Sequence, residues 1–147
     1  MNTSRFSSYL LRSAVAVLVA LGARTAVAQD ARLTLIRDDA TRDVVRQVLG
    51  AAIARGMPSD PLMSKALEGV AKKATPKRIR EAMNALESRM RRANELLAPT
   101  RSVDEMAAGA DALYAGVPEK TLKQMRAAAP NRPIAMELGV LTEMVAN

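Results

Sequence analysis

The segments Ala54-Arg55-Gly56-Met57-Pro58 and Tyr114-Ala115-Gly116-Val117-Pro118 decide how this chain is read. Each has the form helix, glycine, apolar residue, proline, helix. Glycine stops a helix with a left-handed residue, the apolar residue covers the junction, and proline opens the next helix with its φ fixed at about −65°. After each segment a further proline opens a third helix: Pro76 before Ile79, and Pro133 before Ile134. Two copies of a three-helix unit, 39–98 and 102–147, would give this pattern. So would ordinary helix–helix punctuation, and both readings stay open at this point.

Six helical segments follow from punctuation and period. The first runs from about Asp39 to Arg55, with Val44, Val45, Val48, Leu49, Ala52 and Ile53 as its apolar stripe. The second is expected to take Asp60 as its N-cap, with Pro61 at the first helical position, and to fade after Lys73. The third starts at Thr75-Pro76 and reaches about Leu97; Ile79, Met83, Leu86, Met90 and Leu97 share one face, and Arg80, Glu87 and Arg91 are read onto the other. Pro99-Thr100-Arg101 is a linker. Ser102-Val-Asp-Glu105 reads as a capping box opening the fourth helix, which runs to Gly116. Pro118 opens the fifth, carrying Leu122 and Met125. The sixth runs from Pro133 to Val145, where Asn147 either caps it or ends a shortened copy. Leu33-Thr-Leu-Ile36 is the one stretch of strand character, read as an extended lead-in over 29–38 or an early helix turn. The fold class is therefore all-α, about six short helices in a bundle or short solenoid over 39–147. Only the third is long enough to hold alone, so packing must hold the rest.

The first 28 residues have the three parts of a secretory signal peptide. Arg5 and Arg12 give a positive start, residues 14–23 an apolar core, and Ala26 and Ala28 the small residues before a cleavage point ahead of Gln29. As a helix, Ser13 to Ala23 spans about 16 Å, against a bilayer core of about 30 Å, so an uncleaved anchor fits poorly. With no Cys there is no lipoprotein, and no Arg-Arg pair precedes the apolar core. The expected destination is export, periplasmic or secreted, with no transmembrane segment after cleavage. Cleavage takes Arg5, Arg12 and Arg24 and no acid, so the +7 chain becomes a +4 chain with 19 bases and 15 acids.

Composition removes whole classes of chemistry. The chain has no Cys, no His and no Trp. Disulfides, Cys/His zinc sites, thiol nucleophiles and His-based triads are excluded. No Ser-x-x-Lys spacing occurs. The eight methionines from Met57 to Met144 are spread without Met-x-Met or Met-x-x-Met clusters, so packing rather than copper binding accounts for them. No cofactor and no metal is expected.

The acids read mostly as structural. Asp38–Arg42, Glu68–Lys72, Glu87–Arg91 and Glu119–Lys123 are i,i+4 pairs in the favourable order. A hydrolase using a lone Glu, Glu68 or Glu81, is the weakest alternative, because sugar clefts are lined by aromatic rings and the mature chain keeps only Tyr114. That ring is expected to pack, with its hydroxyl at the surface.

Lys72, Lys73, Lys77, Arg78 and Arg80 crowd the junction between the second and third helices. A solvated basic face is the bland reading; contact with an anionic surface or an acidic partner is the functional one. Nucleic acid is not expected, given the export signal and the scarcity of aromatic residues. The run from Gly56 to Lys73, followed by Thr75-Pro76-Lys77-Arg78-Ile79, resembles a pattern in small exported bacterial proteins of unknown function. The resemblance covers about half of the mature chain. It rests on helix junctions, so it implies an exported all-α protein and brings no activity and no functional residue. The leading expectation is a non-catalytic binding or structural module of the cell envelope or secreted space, its partner a protein or an anionic envelope component. The alternative is a peripheral protein held to anionic surfaces by the basic junction.

Overall fold

The computed structural model describes residues 31–100 and 102–146. The leader, its cleavage residues Ala26, Ala28 and Gln29, Arg101 and the Asn147 cap lie outside the described residues. Those described form six α-helices and no strand: α1 Asp39–Ala54, α2 Asp60–Ala71, α3 Pro76–Leu96, α4 Val103–Tyr114, α5 Glu119–Ala128 and α6 Ala135–Ala146. The all-α expectation holds, and the packing is that of a bundle.

Of the two readings of the lead-in, extended or an early helix turn, the described residues show the turn, a 3₁₀ turn over Ala31–Leu35. The reason is spacing. Leu33 and Ile36 are both buried; three residues apart, they share one side of a 3₁₀ turn but would face opposite ways on a strand. The Thr34 hydroxyl donates to the Ala31 carbonyl, and the Ile36 amide to Leu33.

The two glycine junctions match bond for bond. Gly56 has φ +75° and Gly116 +94°. Gly56 N–H donates to Ile53 and Met57 N–H to Ala52; Gly116 N–H donates to Leu113 and Val117 N–H to Ala112. Both are Schellman caps, and the apolar residue that follows is half-buried in one (Met57) and buried in the other (Val117). The end of α2 repeats the same two bonds, Lys73 to Val70 and Ala74 to Gly69, but here the left-handed residue is a lysine, at φ +56°. No such cap follows α5, where Ala129 closes the helix with φ −137°.

At helix starts, Thr75 accepts from the Arg78 amide and Asp38 from the Thr41 amide, as capping residues should. Two starts differ from expectation. Ser59, not Asp60, is the N-cap of α2 and makes no side-chain cap bond; Asp60 reaches Arg32 Nη2 at 2.6 Å. Ser102 accepts from the Glu105 amide, but Glu105 does not reach back, and the Ser102 amide donates to Thr100 Oγ1.

The helices assemble around α3. It packs most extensively on α4 and also holds α1 and α2; α6 packs on α4. One apolar core joins Leu33, Ile36, Leu49, Leu62, Met83 and Met90 with Met106 and Ala110 of α4. A second joins Leu96, Leu97, Ala112, Leu122, Ile134 and Leu138. The cores do not divide at 98–102, because α3 and α4 each contribute to both. Each fully buried Leu, Ile or Met contributes about 1.5–3 kcal/mol.

Candidate functional site

The five bases at the α2–α3 junction are all exposed. The structure does not bring them together as one cluster. Lys72 leans back on Glu68, Nζ to Oε1 2.5 Å. Lys77 stands 4.0 Å from Glu81. Arg80 turns toward α1, where Nη2 donates to Gln47 Oε1 at 3.1 Å. Lys73 and Arg78 have no ion pair among the described residues.

Lys73 lines a groove of about 580 Å³ between the 3₁₀ turn, the start of α1 and the α2–α3 junction. Its walls are apolar, formed by Leu35, Ile36, Ala40, Val70, Ala74 and Ile79, and Leu35 is 62 % exposed. Arg37 also lines it and has no ion pair among the described residues. The acid on the lining, Asp38, is engaged elsewhere. Its Oδ2 accepts from Thr41 Oγ1 at 2.5 Å and from the Thr41 amide at 2.7 Å. These bonds, helped by Arg42, hold its carboxyl below the usual range. Neither Leu35 nor Arg37 was singled out by the sequence reading. Their role depends on a turn 30-odd residues upstream meeting the junction, which no local spacing encodes.

A second cleft of about 590 Å³ lies between α2, α3 and α4 and includes Glu68. Glu68 accepts from Lys65 at 2.6 Å and Lys72 at 2.5 Å. Those two hydrogen bonds and the charges behind them bring its carboxyl down to about 2. Tyr114 borders the same cleft and corrects the expectation of a packed ring: it is 77 % exposed, with the Arg89 guanidinium 4.8 Å from its centroid. Arg89 Nε is buried with no hydrogen-bond partner among the described residues. The other lone acid, Glu81, stays exposed on α3.

The two buried acids are others. Glu87, expected on the solvent face beside Arg91, is buried on α3. It accepts two bonds of 2.7 Å from Arg55. Glu105 is buried against Arg126. Glu119 likewise passes over Lys123 for Arg92, which donates to it through Nε and Nη2. Most methionines are in or against the cores as expected, but Met136 and Met144 are exposed with Val140 along α6.

No family model matches the sequence, and no curated protein and no solved structure matches it.

Proposed function

We propose that the chain is an exported, non-catalytic helical binding module that contacts an anionic envelope component through the α2–α3 junction. The observation that carries this reading is Lys73. Two sister caps place glycine at the left-handed position; the third places a lysine there, beside an apolar groove and without an ion pair among the described residues. A side chain kept in a disfavoured conformation at a surface junction points to use of that side chain. Arg37, on the groove lining, and Arg78, at the junction, add positive charge that has no ion pair among the described residues.

A hydrolase is less well supported. A general acid needs a raised pKa, and Glu68 moves the other way. Glu87 and Glu105 are buried but each is held by an arginine, which suits a structural role.

Two measurements test the proposal. The intact mass of the exported product should correspond to cleavage after Ala28. The mature protein should sediment with phosphatidylglycerol vesicles at low salt and lose that binding as salt rises. Changing Lys72, Lys73, Lys77, Arg78 and Arg80 together to Gln should remove it. Equal sedimentation of that variant would overturn the reading.

A further inference from the structure

We propose that the groove beside the junction is a site for a single-chain anionic amphiphile of the fatty-carboxylate class. The chain lies along Leu35, Ala40, Val70 and Ile79, and the head group is held by Lys73 and Arg37. The inference deepens the reading of the junction as an anion-contacting face and rests on it for the sign of the head group.

Three observations converge on this ligand. The groove's volume, about 580 Å³, lies in the range of small-molecule sites, and its lining is mainly apolar with a few polar side chains, the usual make-up of such sites. Leu35 is a large apolar side chain left 62 % exposed on the wall, and a covering chain would take it out of water. The lining includes two cations, Lys73 and Arg37, without ion pairs among the described residues, while its one acid, Asp38, is engaged by Thr41. A small anion such as phosphate would satisfy the two cations but leave the walls wet. An apolar chain without charge would satisfy the walls but leave Lys73 unexplained. An amphiphile uses both.

Titration calorimetry of the mature protein with dodecanoate, below its micelle concentration, tests this. Butyrate and dodecyltrimethylammonium are the controls for chain and charge. Dodecanoate should bind one to one and both controls should fail. Ala40→Phe, which fills the groove from an exposed position, should weaken binding by about tenfold or more, since each buried methylene excluded removes favourable transfer energy. Leu35→Ser, at a residue outside the buried core, should weaken it in the same direction. Lys73→Gly should weaken it severalfold. Absence of saturable dodecanoate binding, or equal affinity in Ala40→Phe and Leu35→Ser, overturns the groove assignment even if the protein still sediments with anionic vesicles. Dodecanoate binding without vesicle sedimentation upholds the groove and overturns only the surface reading.

Discussion

Glu105 and Arg126, 21 residues apart, meet in a buried pair that joins three elements. Arg126 Nη2 donates to Glu105 Oε1 at 2.6 Å, and the Ile134 amide donates to the same oxygen at 2.8 Å. Arg126 Nη1 donates to the carbonyls of Ala129 and Arg132. The start of α4, the end of α5 and the entry to α6 are thus tied through two side chains. Removing one partner strands the other in a low-dielectric interior. Glu105→Leu or Arg126→Met alone should destabilise by about 3–5 kcal/mol, and the double variant by less than the two losses combined. Urea denaturation of the mature protein checks this; additive losses would argue against coupling.

Stability should fall on acidification. Burial pushes the Glu105 carboxyl up, but bonds from Thr100, the Ile134 amide and Arg126 outweigh it and leave it below its ordinary value. Glu68 is lowered too, to about 2 against an ordinary 4.5, by its bonds from Lys65 and Lys72. A carboxyl lowered in the folded state adds stability above its unfolded pKa and loses it as pH falls through the folded one. The melting temperature should therefore drop as pH goes below about 4.5 and keep dropping toward about 2. Glu68→Gln should shallow that slope. A protein that gains stability over this window would contradict the assignment.

Gly109 sets the closeness of α3 and α4. A Cβ there would meet the Ala93 Cβ at 2.8 Å and Leu97 Cδ1 at 3.0 Å. Gly109→Ala should destabilise by about 1–3 kcal/mol through overpacking. Gly50 and Gly139 are also helical, and a Cβ at either meets nothing within 4 Å. Alanine there should be neutral or stabilising by up to about 1 kcal/mol, because the helix propensity gain has no steric opponent. Thermal melts of the three variants decide it.

The helix boundaries were legible because their signals are local: Gly56, Gly116 and Thr75-Pro76 act within one turn of chain. The ion pairs were not. Glu87 finds Arg55, 32 residues back, and Glu119 finds Arg92, 27 residues back. Spacing along one helix ranks only neighbours on that helix. Glu87 did leave a trace, since it lies four after Met83 and three before Met90, on the apolar stripe itself. Tyr114 left none; its exposure follows from how α4 sits on α3. The basic junction was legible as a charge run, but the groove beside it needed the 3₁₀ turn to fold against α2 and α3.

Lys73→Gly should stabilise the fold by roughly 1 kcal/mol, because glycine removes the Cβ penalty of a left-handed cap. Gly56→Ala and Gly116→Ala should do the reverse by a similar amount. Chemical denaturation of the three variants measures this. A destabilised Lys73→Gly would mean that the lysine serves the fold and not a ligand.

The most direct test maps where the protein meets an anionic surface. Amide resonances of the mature protein are followed while phosphatidylglycerol bicelles are added at low salt. Shifts should centre on Arg37, Lys72, Lys73, Lys77 and Arg78, with α6 unchanged. Shifts centred on Met136, Val140 and Met144, or none anywhere, would contradict the assignment of the junction as the contact face.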